Sequence, residues 1–378
     1  MNEPDQQRTY HLFVVAFFVC LLLSFSVYFA VGDALGAEGS TAPACYDGSV
    51  IEGNDPVRGF LRAVYQNEAS LSLVRQYEYR IFRVVNHENV IAGRNDFLFE
   101  VNDKETGYSF LEDYIGHAAF DEAQSAAILE ELCRRQNYYR ENGAEYLLVV
   151  IPNAQTVYSE YMPGYLGNIS KNTRLSLLED YIGTHSSADG AKFRNFVNLT
   201  AELSAQKGEG LLYNNTENSL NALGAFVAYR AVYDRFSPNV WATTPPLLRS
   251  ELSFRRHQTA GREIAREAGL ADTVLNETVS LSNDTVMNYT YLLNTGGVTR
   301  TALKPAVAQG QKTLLLLQFS SNREKLQCEP FFSNTFYKVT YQLGFAEDAA
   351  IFEQAKPQVV IQFLYECELD MLLPQGGA

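Results

Sequence analysis

The sequence predicts an α/β domain with a mostly parallel sheet flanked by helices, preceded by one N-terminal transmembrane helix. A run of about 20 residues without charge stands near the N terminus, which is the length that a helix needs to cross a bilayer. Further along, short apolar β-prone runs alternate with amphipathic helical segments, the pattern of a parallel sheet covered on both faces. The chain has 378 residues, of which 46% are hydrophobic, so it is long enough to enclose a large core.

The uncharged run is Leu12–Val31, and we interpret it as an uncleaved membrane anchor. The alternative is a cleaved signal peptide with a processing site near Ala37 or Ala44. Because the bulk of the chain follows the span and only a short tail precedes it, the main domain is predicted to be extracytoplasmic, either periplasmic or extracellular. The predicted organisation is a tail at 1–11, the anchor at 12–31, a linker and lead-in segment at 32–79, and the α/β domain at 80–378.

Two features of the body depend on its compartment. Four cysteines follow the anchor, and they either form two disulfides or remain as buried thiols: Cys45, Cys133, Cys328 and Cys367. Six N-x-Ser/Thr sequons would mark glycosylation in a eukaryotic secretory route, but in an Asn-rich bacterial protein they carry no meaning: Asn168, Asn198, Asn214, Asn276, Asn283 and Asn288.

The first clear unit of the domain is a helix followed by a buried strand. Asp121 with Gln124 resembles a capping box at the start of the helix, and Asn142-Gly143 is typical of a helix end. The next segment, Tyr146–Ile151, is continuously apolar, which indicates a strand buried on both faces. Pro152-Asn153 ends that strand.

The same alternation continues along the chain. Helices are predicted at about 173–182 and from about Asn221, and strands at 196–199, 314–317, 338–343 and 359–364. An insertion at about 237–311 interrupts the pattern and is predicted to be a surface excursion. In parallel sheets the site lies beyond the carboxyl ends of the strands, so we expect it in the loops after Ile151, after Leu212-Tyr213 and after Leu317.

Charge and short motifs exclude several function classes. The net charge of -14 argues against nucleic acid as a partner, because nucleic-acid binding requires a basic surface. The sequence has no GxGxxG, P-loop, HExxH or EF-hand pattern, so neither a nucleotide nor a metal cofactor is predicted.

Two segments carry a family resemblance. Val149–Asn153, followed by Thr156–Pro163, resembles the strand and loop signature of alginate O-acetyltransferase-type proteins, which are SGNH-hydrolase-like, and the bacterial DHHW-motif family is similar. The upstream run Val90–Phe99 also resembles them, with Phe97 in place of the family's Trp. The resemblance implies an SGNH-hydrolase-like fold, acyl transfer to an exopolysaccharide in the cell envelope, and a membrane-bound acyltransferase as partner.

The catalytic residues that the resemblance implies are largely replaced. The family's Asp and His fall on Glu217 and Ser219, and its nucleophilic serine falls on Ser320, whose Gly-Asp neighbours are missing. A serine nucleophile needs an imidazole to accept its proton, and Ser219 cannot act as a general base near neutral pH. Among the five histidines, only His257 in the insertion is a candidate to fold over the site.

Further candidates surround these positions. Asn153 follows a buried strand, Tyr158 offers an aromatic face of the kind that suits sugar rings, and Asn221 opens the retained Gly-Ala end of the motif, so we assign these three to substrate binding. Glu366 and Glu368 follow the last strand, where relatives have a Glu-Arg pair, and are predicted to be structural.

The resulting hypothesis is a membrane-anchored, SGNH-like pseudoenzyme that binds a polysaccharide or scaffolds a polysaccharide-modifying complex. The alternative is an active O-acetyltransferase or acetylesterase that uses Ser320 with another base. The acidic net charge disfavours an anionic polymer such as alginate as ligand, unless a basic patch at Arg255-Arg256 meets it.

Overall fold

The computed structural model describes residues 68–104, 106–235, 245–282, 290–295, 299–303, 314–319, 328–344 and 349–374. The described residues from Glu78 onward belong to one compact unit. The predicted membrane anchor at 12–31 lies outside the described residues. Among the residues that are described, no helix is both long and apolar enough to cross a membrane.

The described residues form helices and strands that are interleaved along the chain. The helices are α1 (Glu68–Phe82), α2 (Phe110–Tyr114), α3 (Glu122–Glu141), α4 (Ala154–Val157), α5 (Arg174–Thr184), α6 (Thr200–Gln206), α7 (Ala222–Arg235), α8 (Glu263–Glu267), α9 (Glu329–Thr335) and α10 (Ala349–Ala355). The strands are β1 (Val90–Ala92), β2 (Leu98–Glu100), β3 (Glu145–Ile151), β4 (Phe196–Asn198), β5 (Phe254–Thr259), β6 (Asn276–Leu281), β7 (Thr290–Thr295), β8 (Thr299–Leu303), β9 (Leu314–Phe319), β10 (Lys338–Leu343) and β11 (Val359–Tyr365).

Seven of these strands form the central sheet, in the order β4-β3-β11-β9-β10-β8-β7. Strands β4, β3, β11, β9 and β10 are parallel, whereas β8 runs antiparallel to both β10 and β7. The predicted mostly parallel α/β sheet is therefore confirmed. The carboxyl ends of β3, β11 and β9 lie side by side at one edge, which is where a parallel sheet places its site.

Both faces of the sheet are covered, which explains the continuous apolar run of β3. Leu147, Val149 and Ile151 point into the core on one face, which also contains residues of α4, α6, α7 and α9. Leu148 and Val150 point into the core on the other face, together with residues of α3, α5 and α10. Because neither face of β3 meets water, every position from 146 to 151 can be apolar.

Residues at its two ends define where helix α3, which precedes β3, begins and ends. The Asp121 carboxylate accepts a hydrogen bond from the backbone N–H of Gln124 at 2.7 Å, and the Gln124 side chain accepts one from Asp121 N–H at 3.0 Å. This is the predicted capping box. Gly143 adopts a φ of 79°, a left-handed conformation that ends the helix without strain.

The stretch predicted as a surface excursion also contributes to the sheet. Strands β5 and β6 pair as a separate antiparallel hairpin, but β7 and β8 join the central sheet beside β10. The sequence pattern did not predict these two strands, because β8 joins the sheet through β10, which follows much later in the chain, and β7 joins it through β8.

Cysteines of the described residues do not form disulfides. Three of the four body cysteines are described, and all three are buried: Cys133, Cys328 and Cys367. Burial raises the pKa of the Cys133 thiol, so this residue behaves as a small apolar side chain. Cys45 lies outside the described residues.

Candidate functional site

Asn153 lies at the carboxyl end of β3, where the chain turns into α4. Its backbone N–H donates to Oε2 of Glu366, the residue that follows the neighbouring strand β11, at 2.9 Å. Its side-chain Nδ2 donates to the hydroxyl of Tyr108 at 3.0 Å. The Asn153 side chain is buried, and its Oδ1 has no hydrogen-bond partner. Two adjacent strand ends are therefore tied together, with one amide oxygen left unpaired.

A short loop between Tyr213 and Leu220, which pair as an isolated antiparallel bridge, covers this strand end. The loop is anchored from outside by the β5–β6 hairpin. The Thr216 hydroxyl donates to Oδ1 of Asn276 at 2.9 Å, and the Asn215 amide donates to the carbonyl of Leu275 at 3.1 Å. These contacts fix the loop backbone, so its side chains are held in place before any ligand arrives.

Glu217 and Ser219, the two predicted catalytic positions in this loop, are both approached by the Asn214 amide. Asn214 Nδ2 donates to Ser219 Oγ at 2.9 Å and approaches Glu217 Oε2 at 3.5 Å. Arg262 Nε lies 4.0 Å from Glu217 Oε2. Ser219 is only 2% exposed, so its hydroxyl is enclosed by the loop.

Asn218 links the loop to the strand end. Its Oδ1 accepts a hydrogen bond from the backbone N–H of Ala154, the residue after Asn153, at 3.3 Å. Its Nδ2 is buried without a partner, as is Oδ1 of Asn214. We call Asn153, Asn214 and Asn218 the amide cluster. Each leaves one buried polar atom unpaired, which costs about 1–3 kcal/mol unless a water or a ligand satisfies it.

Two predicted substrate-binding residues lie in the core instead of beside the cluster. The Tyr158 hydroxyl accepts a hydrogen bond from Leu212 N–H at 2.9 Å, and its ring packs on Tyr161 with centroids 5.3 Å apart. Asn221 is fully buried; its Oδ1 accepts from Leu223 N–H at 2.9 Å, and its Nδ2 donates to the carbonyl of Leu211 at 2.7 Å. Asn221 therefore caps the start of α7.

Burial sets the electrostatics of the site. Loss of hydration, followed by the neighbouring Asp113 carboxyl, raises the pKa of Glu366 to about 8. Burial also raises the pKa of Tyr158 to about 12, so its hydroxyl stays neutral. The raised pKa favours the neutral form of the Glu366 carboxyl, which lies beside the neutral amide of Asn153 at the strand end.

The described part of the site has no histidine base. In the described residues no histidine is a hydrogen-bond partner of Ser219, which is bonded by Asn214. His117 and His185 are exposed and contact Glu112 and Tyr181. His257 is exposed on β5, with Nδ1 at 3.5 Å from the Ser280 hydroxyl.

Ser320, which the sequence resemblance predicted as the nucleophile position, falls outside the described residues. Ser320 follows β9, and the register places Phe319, the last residue of β9, opposite Phe363 of β11 and Leu343 of β10. Within the described ranges, no group of three or more His, Cys, Asp or Glu side chains is arranged to hold a metal ion.

Sequence reasoning missed several residues of the site. Asn218 lies within the motif window from 216 to 225, and Asn214 directly follows Tyr213 at the start of the predicted loop, so both residues carried a signal. Tyr108 and Asp113 carried none, because only the fold brings them to Asn153 and Glu366. Glu366 was predicted to be structural, and its contacts place it at the strand end beside Asn153.

No protein-family model matches the sequence, and the search of curated proteins also gives no match. Among solved structures, PatB1 of Bacillus cereus is similar, with 11% identity, a TM-score of 0.50, and coverage of 75% of this chain and 98% of PatB1. The O-acetyltransferase domain of Pseudomonas putida AlgJ matches with 14% identity, a TM-score of 0.45, and coverage of 75% of this chain and 92% of that domain. A DHHW family protein from Eubacterium siraeum matches with 14% identity, a TM-score of 0.48, and coverage of 76% and 95%.

The likeness to PatB1 extends over three quarters of this chain and nearly all of PatB1. At this level of identity it shows that the two chains share a fold. The predicted resemblance is thereby confirmed for the fold.

Proposed function

We propose that this chain is a membrane-anchored, extracytoplasmic protein that binds polysaccharide within a cell-envelope O-acetylation system and does not catalyse acyl transfer. The observation that carries the proposal is the hydrogen bond from Asn214 Nδ2 to Ser219 Oγ, because Ser219 stands where the family has its histidine. A hydroxyl at that position cannot accept a proton from a serine nucleophile near neutral pH. Loss of the base removes orders of magnitude in rate.

The amide cluster supports glycan binding in place of catalysis. Its unpaired atoms are two acceptors, Oδ1 of Asn153 and Oδ1 of Asn214, and one donor, Nδ2 of Asn218. Sugar hydroxyls both donate and accept hydrogen bonds, so they match this mixed set.

The sequence supports the proposed location, and its family resemblance supports the proposed partner. The uncharged run at 12–31 would anchor the chain in a membrane, with the α/β domain outside the cytoplasm. The AlgJ domain, which is named as an O-acetyltransferase, supports the pathway, and a membrane-bound acyltransferase would supply the acyl group.

A second candidate is an active O-acetyltransferase or acetylesterase with Ser320 as nucleophile. It is favoured by the position of β9, which lies between β11 and β10 in the parallel part of the sheet. A serine after such a strand is at the edge where these sheets place their sites.

One experiment on the purified full-length chain separates the two functions. We expect p-nitrophenyl acetate to be hydrolysed at the same background rate by the wild type, Ser320→Ala and Ser219→Ala. On the same samples, affinity electrophoresis in gels containing alginate, acetylated xylan or a neutral β-glucan should show retardation by at least one polymer. Asn218→Ala should weaken that binding about tenfold, the loss of roughly one well-placed hydrogen bond.

The matched control for binding is Asn168→Ala, because Asn168 is exposed. Turnover that depends on Ser320 would establish the second candidate instead. Unretarded migration in all three polymers, or equal loss of binding in both asparagine variants, would contradict glycan binding at the amide cluster.

A further inference from the structure

Asn215 stands next to Asn214 of the amide cluster, and its side chain joins the site loop at 213–220 to two separate hairpins. Its Nδ2 donates to the carbonyl of Asp96, in the turn between β1 and β2, at 2.8 Å, and to the carbonyl of Leu275, just before β6, at 3.1 Å. Its Oδ1 accepts from the backbone N–H of Glu277, within β6, at 2.6 Å. Both polar atoms of this amide therefore bond protein backbone, which is the pattern of a side chain that fixes a position.

The backbone of Asn215 makes a further link to the same hairpin. Its carbonyl accepts from the N–H of Leu98, the first residue of β2, at 2.8 Å. Asn215 is only 4% exposed, so a bond that is lost here leaves a buried polar group without a partner. The site loop is thus held between the β1–β2 hairpin on one side and the β5–β6 hairpin on the other.

The β1–β2 turn that receives the Asn215 amide has an uncommon backbone. Asn95 and Asp96, between Arg94 and Phe97, have φ values of 56° and 57°. A type I′ hairpin turn requires a positive φ at both central residues. Asn and Asp adopt this left-handed region more readily than most residues, although less readily than glycine. Contacts that hold Asp96 therefore help to stabilise the turn.

Those contacts come from the end of α1. Asp96 Oδ1 accepts from the Tyr79 hydroxyl at 2.8 Å and from the Arg83 guanidinium at 2.7 Å. Tyr79 is 2% exposed and belongs to the same core cluster as residues of β1 and β2, so its hydroxyl has a fixed position. The pair with Arg83 is exposed and contributes less. With its carboxylate held by α1, Asp96 directs its carbonyl to the Asn215 amide.

We propose that Asn215 is a positioning residue for the candidate glycan site, and that the contact of Asp96 with α1 keeps the β1–β2 turn in the conformation that receives it. Asn215 acts through its neighbours Asn214 and Asn218, whose unpaired amide atoms face the ligand. A loop that is fixed before binding does not lose conformational freedom when the ligand arrives, so affinity is higher. The ligand part of this inference rests on the proposed glycan binding, whereas the support of the loop does not.

The first test is a double-mutant cycle by affinity electrophoresis of the full-length chain in the polymer that retards the wild type. We expect Asn215→Ala to weaken binding about tenfold, because the loop must be ordered on binding. Asn218→Ala should then cost less than about threefold in the Asn215→Ala background, since a displaced loop no longer presents Asn218. If the two losses simply multiply, Asn215 acts independently of the amide cluster and its positioning role is excluded.

Asn89→Ala is the matched control for loss of a buried asparagine. Asn89 is 7% exposed; its Nδ2 donates to the carbonyl of Asn102 at 3.0 Å, and its Oδ1 accepts from Asn102 N–H at 2.7 Å. We expect this variant to lower the urea midpoint as Asn215→Ala does, but to leave affinity within about twofold of the wild type. Equal loss of binding in both variants would show that stability, and not positioning, determines affinity.

The second test needs no ligand. In amide hydrogen exchange of the full-length chain at pH 7, peptides covering 213–220 should exchange faster in Asn215→Ala than in the wild type or Asn89→Ala. Asp96→Gly should have the same effect, because glycine keeps the left-handed turn and the carbonyl but removes the carboxylate that α1 holds. Asp96→Asn retains an acceptor oxygen for Tyr79 and should behave like the wild type.

Each outcome of the exchange experiment decides one part of the proposal. Unchanged exchange at 213–220 in Asn215→Ala would exclude the positioning role. Unchanged exchange in Asp96→Gly would exclude the contribution of α1. If both variants exchange faster but no polymer retards the wild type, the loop is positioned as proposed and glycan binding is wrong.

Discussion

Replacing Tyr213 with alanine is expected to lower the free energy of unfolding by about 3–5 kcal/mol. The ring is fully buried and packs edge-on against Tyr158, with centroids 6.1 Å apart. Its hydroxyl donates to the carbonyl oxygen of Pro152 at 2.6 Å, so the residue also fixes the end of β3. Removal of the ring leaves a cavity between the site loop and the strand end.

A phenylalanine variant separates the two contributions. Tyr213→Phe keeps the ring but leaves the Pro152 carbonyl without its donor, so we expect a loss of about 1–2 kcal/mol. Urea unfolding of the wild type and both variants at pH 6 measures the difference. Equal losses for alanine and phenylalanine would show that the hydrogen bond, and not packing, dominates at this position.

Replacing Asn221 with alanine is expected to destabilise the chain by about 2–4 kcal/mol. The loss combines a helix N-cap, worth about 1 kcal/mol, with buried backbone groups left unpaired. Those groups are Leu223 N–H, Gly224 N–H and the carbonyl of Leu211. The helix start has no room to adjust, since a Cβ on Gly224 would lie 2.8 Å from a methyl carbon of Leu220 and clash with the Leu212 carbonyl.

This result bears on the predicted substrate role of Asn221. If the residue acts only as a cap, Asn221→Ala should lower the urea midpoint without changing polysaccharide affinity under conditions where it is folded. The exposed Asn168→Ala should leave the midpoint within about 0.5 kcal/mol of the wild type. If Asn221→Ala is folded but no longer binds polysaccharide, then Asn221 contributes to the binding site.

The elements that the sequence predicted correctly are specified by residues that lie close together in the chain. The capping box at Asp121 and the helix end at Gly143 need only residues within one turn, so composition specifies them. The apolar run of β3 needs only a sheet with two covered faces. The motif window from 216 to 225 likewise located the loop that covers the strand end, because a loop and the helix it opens are contiguous.

The site itself was only partly predictable. Asn153 was identified from its place after a buried strand, and it does lie at the strand end. Tyr158 and Asn221 were also predicted to bind substrate, but their side chains lie in the core. Tyr158 accepts a hydrogen bond from Leu212 N–H, and Asn221 donates one to the carbonyl of Leu211. A sequence pattern can place a polar residue in a loop at the carboxyl edge of the sheet. Whether its side chain faces the cleft depends on the rotamer and on the hydrogen-bond partners, which the pattern does not specify.

The sequence by itself determined the fold class, the sheet strands with strong apolar runs and the helix caps. These are properties of residue type and local spacing. Only the tertiary structure decided that β7 and β8 extend the sheet, that Asn218 accepts a hydrogen bond from Ala154 N–H, and that Asn153 donates to Tyr108. Each of these depends on partners far apart in the chain. Because a hydrogen bond requires contact at about 3 Å, sequence spacing cannot specify it until the strands are paired.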